Sequence, residues 1–98
     1  MINRLQLPPG LDADTIKTVA AAHGGHRVRV FGSRARGEAR PESDLDLMVE
    51  MEQGRSYLDL TAIALELEAR CGVHVDLHSA RALRVAVAET AESEAVAL

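Results

Sequence analysis

The chain has no tryptophan, and Phe31 and Tyr57 are its only aromatic residues. Its core is therefore expected to be built from valine, leucine, isoleucine and alanine. Cysteine is almost missing too. Cys71 stands alone, which excludes an intramolecular disulfide framework and fits a reducing cytoplasm, the expected location. No stretch stays apolar long enough to span a bilayer, and the first residues lack the apolar run of a secretory leader. Lysine occurs once, at Lys17, so nearly every basic side chain is an arginine. Arginine suits bidentate phosphate contacts, although the base composition of a genome produces the same skew. The net charge of −4 argues against a dedicated nucleic-acid binder, which would carry a basic surface. Repeats and low-complexity segments are absent.

What is present has the balance of an ordinary globular protein. With 98 residues, 47% of them hydrophobic, the chain is expected to form one domain over 1–98 with a modest core, about 12–90. Pro8, Pro9 and Gly10 mark an irregular lead-in. Asp12 or Asp14 can cap a first helix over 13–23, with Ile16, Val19 and Ala20 on one face, and Gly24 and Gly25 end it.

The period then changes to two. Between Arg27 and Phe31, Val28 and Val30 point one way and Arg27, Arg29 and Phe31 the other, which predicts a first strand. Gly32 to Ser43 reads as loop with one short helical turn. A second strand is predicted over 44–51, with Leu45, Leu47, Val49 and Met51 on one face and Asp44, Asp46, Met48 and Glu50 on the other. Ser56 can cap a long helix to Cys71, striped by Leu60, Ile63, Ala64, Leu67 and Cys71, and Gly72 sits where a left-handed cap belongs. A third strand is predicted over 73–78, with Val73, Val75 and Leu77 facing His74, Asp76 and His78 across the pleat. A further helix is expected from Ala80 and a last short strand around 95–98. The fold class is α+β: a small mixed sheet with helices on one face and an open polar face on the other.

That polar face carries the chemistry. Asp44 and Asp46 are two apart on a strand, so both side chains leave the same side. Asp76 lies on another strand with the same alternation, and three carboxylates converge if the two strands are neighbours. At about 5 Å and an effective dielectric near 20, each like-charge pair repels by roughly 3 kcal/mol, which calls for a compensating cation. Oxygen ligands select Mg²⁺ or Mn²⁺, and three carboxylates can hold two such ions for in-line displacement at phosphorus.

A second element lies just upstream. Gly32 and Ser33 follow the first strand directly, and Arg34, Arg36 and Gly37 come next. Successive N–H groups in such a turn, with the Ser33 hydroxyl, can cradle phosphate oxygens, and Arg36 or Arg34 can neutralise their charge. The turn is not a P-loop: the Gly-x4-Gly-Lys-Ser/Thr pattern is missing and Lys17 is remote in sequence.

Together, Gly32-Ser33-Arg34-Ala35-Arg36-Gly37 and Ser43-Asp44-Leu45-Asp46-Leu47 resemble the signature of the DNA polymerase β-type nucleotidyltransferase superfamily. Ten residues separate Ser33 from Asp44, as in that family's Gly-Ser-x10-Asp-x-Asp pattern, and Val75-Asp76-Leu77 falls where its third carboxylate is expected. Either short motif alone would be weak, but the combination is specific. The chain length is similar to that of the minimal nucleotidyltransferase subgroup. The resemblance implies that Gly32 and Ser33 hold the triphosphate and that Asp44 and Asp46 ligate two Mg²⁺ ions. It implies that Asp76 ligates the catalytic ion and accepts the proton of the attacking hydroxyl. It further implies transfer of a nucleoside monophosphate, AMP from ATP, with release of pyrophosphate. Members of the subgroup are often encoded beside a helical HEPN protein, as the antitoxin that attaches AMP to a tyrosine of that ribonuclease. A HEPN-type partner is thus expected, with homo- or hetero-oligomers open.

Simpler readings stand beside these. The aspartates could be solvated residues of an open sheet, and Ser33 only a turn residue. Arg34, Arg36 and Arg40 are either phosphate ligands or solvated loop charges. His74 and His78 could form a transition-metal site with Asp76, but no cysteine or further close histidine completes a tetrahedral set, so they are expected to border the nucleotide pocket or sit exposed. His23 and His26 read as surface residues, Glu50 as solvated, Cys71 as a buried small hydrophobe, and Tyr57 as packing. Three functional alternatives remain. The chain could silence its partner by binding alone. It could transfer nucleotide to a small molecule, for which larger relatives use an added domain. It could also act on nucleic acid, which the acidic balance does not support.

Overall fold

The computed structural model describes residues 4–81 and 95–98. Its elements are α1 (Ala13–Ala22), β1 (Gly25–Phe31), α2 (Ser33–Arg36), β2 (Leu45–Met51), α3 (Tyr57–Cys71), β3 (Val75–Ser79) and β4 (Val96–Ala97). The strands form one sheet in the order β3-β2-β1-β4. β1 is antiparallel to both β2 and β4, while β2 and β3 are parallel and joined through α3, the crossover that a parallel pair requires. No helix among the described residues is long and apolar enough to cross a membrane.

The helix ends follow their caps. Asp12, rather than Asp14, caps α1, its carboxylate accepting the Thr15 N–H at 2.7 Å. Ser56 and Asp59 form a capping box at the start of α3: Ser56 Oγ accepts the Leu58 N–H and Asp59 Oδ2 accepts the Ser56 N–H. Gly72 ends α3 in the left-handed conformation.

The main core lies on the helix-covered face. Ile16 and Val19 of α1 and Ile63 and Leu67 of α3 pack against Val28, Val30, Leu45, Leu47, Val49 and Val75 of the sheet. These positions are the ones that the two periodicities selected.

Several expectations need correction. β1 starts at Gly25 rather than Arg27, so only Gly24 lies in the turn after α1. Its register with β2 slips between His26 and Arg29, and Arg27 takes a positive φ at that irregularity. β3 starts at Val75 rather than Val73, where the Glu68 carboxylate accepts the Val75 N–H. The opposite face is not polar throughout. Met48 is 1% exposed and forms a second small cluster with Ala80, Phe31 and Ala95. Glu50 is not simply solvated: Arg27 Nε lies 2.9 Å from its carboxylate. Tyr57 does not pack, being 80% exposed. Cys71 is half-buried against the core rather than fully buried. The helix expected from Ala80 starts at residues 80–81, and its remainder lies outside the described residues.

Candidate functional site

β1 delivers the chain to the site. After Phe31, Gly32 turns it into α2, a single helical turn over Ser33–Arg36 that Gly37 caps. Gly32 has φ +74°, and a Cβ there would run into Asp46 Oδ2. Two demands thus meet at one position, a left-handed backbone and the closest possible approach to a carboxylate, and only glycine meets both. Its carbonyl accepts the N–H groups of Ala35 and Arg36, so the turn closes on itself.

Asp46 is the centre of the arrangement. It sits on β2 between Phe31 of β1 and Asp76 of β3, each directly across the ladder. The expected neighbourhood of the two strands is therefore realised, with Asp46 and Asp76 in register. The Asp46 carboxyl is pushed above the ordinary range, first by burial, then by the charges of Asp76 and Asp44; His78 and Arg36 pull the other way. Asp44 lies one residue before β2 and is exposed, and its following peptide is tied to the entrance of β3 by the Leu45 N–H donating to His74 O at 2.9 Å. Among the described residues no three histidine, cysteine or acidic side chains are drawn together into a ready ion cage. Asp46 and Asp76 are adjacent, and Asp44 adds its charge from the strand entrance.

His78 of β3 and His74, just before it, part company. His78 Nε2 is 3.1 Å from Asp76 Oδ2 and its ring tilts against Phe31, so it borders the acidic site. His74 instead meets Glu68 at 2.9 Å, on the α3 side of the strand, and no transition-metal set forms among the described residues. Asp76 and His74 also line a cavity of about 310 Å³ between β3 and α3, with Tyr57, Leu60 and Leu65. A cavity of about 470 Å³ at the far end of β2, bordered by Glu50, Arg55 and Arg81, contains none of the candidate residues.

The arginines of the turn also separate. Arg36 is half-buried, meets Glu38 at 3.2 Å and is near enough to Asp46 to be felt there. Arg34 is 3% exposed, and all three of its guanidinium nitrogens donate to backbone carbonyls. It has no surface to offer a phosphate, and its candidacy as a ligand fails. The sequence carried no signal for this, since Arg34 and Arg36 look alike in a charged loop. Nor did it point to Gln6, whose carbonyl accepts from Arg34 and whose side-chain oxygen accepts the Ala39 N–H.

A mixed sheet with a glycine–serine turn set against an Asp-x-Asp stretch, and a third aspartate in register with the second, is the arrangement that the resemblance to the polymerase β-type nucleotidyltransferases implies. The chain belongs to the nucleotidyltransferase domain family, which matches residues 13–98. It is 34% identical over 94 residues to the protein adenylyltransferase MntA of Thermococcus cleftensis, spanning 88% of this chain and 95% of that one. A solved structure described as a minimal nucleotidyltransferase is 48% identical, with a TM-score of 0.76 over 87% of each chain. A toxin–antitoxin complex with AMP-PNP shares the fold at a TM-score of 0.76 and 18% identity, over 89% of this chain and 72% of the other.

Proposed function

We propose that the chain is a protein adenylyltransferase that moves AMP from ATP to a hydroxyl of a partner protein, a tyrosine of a HEPN-type helical toxin, and so acts as its antitoxin. The observation that carries this reading is the register of Asp46 beside Asp76, with Gly32 against the Asp46 carboxylate. A half-buried acid with two acidic neighbours is costly alone and suits a divalent ion. Asp44 and Asp46 would hold two Mg²⁺ ions, or Mn²⁺, and Asp76 the catalytic one. Bound there, such ions neutralise phosphate charge and stabilise in-line displacement.

The remaining work falls to the chain itself. Gly32 and Ser33 hold the triphosphate through backbone N–H groups and the hydroxyl, with Arg36 adding positive charge at its edge. Asp76, steadied by His78, takes the proton from the attacking hydroxyl. The new bond joins that oxygen to the α-phosphorus, and the bond to the β-phosphate oxygen breaks, releasing pyrophosphate. Support for a protein acceptor comes from the relatives that are named protein adenylyltransferases.

Incubation of the purified chain with its helical partner, labelled ATP and Mg²⁺ is expected to label the partner. Asp44→Asn should abolish that label, and undiminished labelling by this variant would sink the assignment. A second reading, neutralisation by binding alone, is favoured by Tyr57, Leu58 and Leu65, which stay 80%, 78% and 60% exposed along α3. It wins if Asp44→Asn still silences the partner's ribonuclease activity.

A further inference from the structure

Arg34 is the one buried charged side chain among the described residues, at 3% exposure. Its partners are carbonyls rather than carboxylates. Nε and Nη2 both donate to Ser43 O, at 3.2 and 2.8 Å. Nη2 also reaches Arg40 O at 3.3 Å and Pro41 O at 3.2 Å, and Nη1 reaches Gln6 O at 3.2 Å. A buried cation without a counter-ion persists only when its donors are satisfied, and a planar fork can satisfy several carbonyls at once.

Where those carbonyls lie gives the arrangement its meaning. Ser43 O belongs to the peptide unit that leads into Asp44, and two donors of one guanidinium fix it. The next peptide unit is fixed by the Leu45 N–H on His74 O. Asp44 itself is exposed and lies outside the strand ladder. Both flanking peptides are pinned nonetheless, one to His74 just before β3 and the other to the Arg34 side chain of α2. The same α2 turn carries Ser33. Smaller bonds tighten the loop around this clasp: Arg40 N–H donates to Ser43 Oγ and Ser43 N–H to Arg40 O. The Gln6 N–H donates to Arg34 O, which stitches the lead-in segment to the same turn.

We infer that Arg34 is a positioning residue: its guanidinium clasps the 40–43 loop and thereby holds the Asp44 carboxylate at a fixed distance from the Gly32-Ser33 turn, so that ion and triphosphate are received together. The inference rests on the reading of Asp44 as an ion ligand. Lysine cannot replace the arginine. It has one donor centre, and the clasp needs donors spread across a plane.

The test compares wild type, Arg34→Lys, Arg34→Ala and Asp44→Asn as full-length chains, in binding of Mn²⁺ together with AMP-PNP followed by electron paramagnetic resonance. Amide hydrogen exchange along the whole chain is measured in parallel. Partners that orient a ligand without touching the ion typically govern about 10–100-fold in metal affinity. Arg34→Lys is therefore expected to weaken Mn²⁺ binding about tenfold and Arg34→Ala more, with faster exchange confined to 40–45 and methylguanidinium partly restoring the alanine variant. A purely structural role would lower the fraction of folded molecules and leave their Mn²⁺ affinity unchanged. Folded Arg34 variants with wild-type affinity would overturn the inference. So would loss of cooperative folding in both variants that methylguanidinium leaves unrestored, which assigns Arg34 to stability alone. If Asp44→Asn itself binds Mn²⁺ like wild type, the site reading fails. If Asp44→Asn loses the ion while both Arg34 variants keep it, only the clasp fails.

Discussion

On one face of the sheet Leu45, Leu47 and Val49 are fully buried beneath α1 and α3, together with Ile16, Ile63 and Leu67. On the other, the same β2 strand carries Asp46 with its carboxyl held above the ordinary range by burial and by Asp76 and Asp44. One strand thus serves two purposes at alternate residues. The aliphatic side supplies the favourable transfer energy of the fold, and the acidic side sets part of it against charges that repel one another. In a chain of 98 residues, whose stability margin is small, this division has measurable consequences.

The sharpest way to separate the faces is a pair of substitutions with opposite signatures. Asp76→Asn should lower nucleotidyl transfer by roughly 10³-fold, the scale of losing one charge-stabilising group from a preorganised site, while the melting temperature holds. Leu67→Ala, at a position 0% exposed, should do the reverse. It is expected to cost about 2–5 kcal/mol in urea unfolding, yet leave the rate per folded molecule unchanged. A Leu67→Ala protein with full stability, or with a selectively slowed folded fraction, would mean that the faces are not independent.

Gly32→Ala tests the place where the two regions join. The left-handed backbone alone makes alanine cost about 1–3 kcal/mol, and the new methyl group also displaces the Asp46 carboxylate. Stability and transfer should fall together here, in contrast to the preceding pair. Differential scanning calorimetry and the labelling assay on the same sample decide it. Transfer unchanged in a destabilised Gly32→Ala protein would show that the turn serves folding only.

How much of this contrast is legible in the sequence depends on the kind of interaction. The alternation in 44–51 identifies both faces of β2, because strand side chains point to opposite sides at every step. The neighbourhood of Asp46 and Asp76 stays a condition at the level of sequence: two matching alternations joined by one helix allow it, and only the sheet order and the parallel register of β2 with β3 fulfil it. Alternation assigns a side, however, and not what covers that side. Met48 falls on the acidic face by pattern and is buried by Phe31, Ala80 and Ala95, which come from three distant parts of the chain. Arg34 and Arg36 are indistinguishable by type and spacing. What separates them is that the carbonyls of Gln6, Arg40, Pro41 and Ser43 gather around one of them, and backbone acceptors leave no mark in a sequence. The early start predicted for β3 has a similar origin. Val73 fits the strand period, but the Glu68 carboxylate takes the first strand N–H at Val75.

The smallest effect concerns the repulsion itself, and its sign is opposite to that of most substitutions. Because the folded-state pKa of Asp46 is raised above the ordinary value of 3.8, the folded protein holds the proton longer than the unfolded chain does. The contribution of Asp46 to the stability of the ion-free protein should therefore decline as pH rises from about 4 through that raised pKa, and then level off. Asp46→Asn removes the charge and keeps the shape. Without divalent ions it should melt slightly higher than wild type at neutral pH, and the difference should shrink towards zero below pH about 4, where both side chains are neutral. Added Mg²⁺ with AMP-PNP should reverse the order by stabilising only the wild type, since a ligand stabilises the state that binds it. Melting curves at several pH values, with and without the ion, read all three trends. If Asp46→Asn melts lower than wild type in the ion-free protein at neutral pH, the carboxylate is held by favourable contacts, and the acidic face is no burden on the aliphatic one.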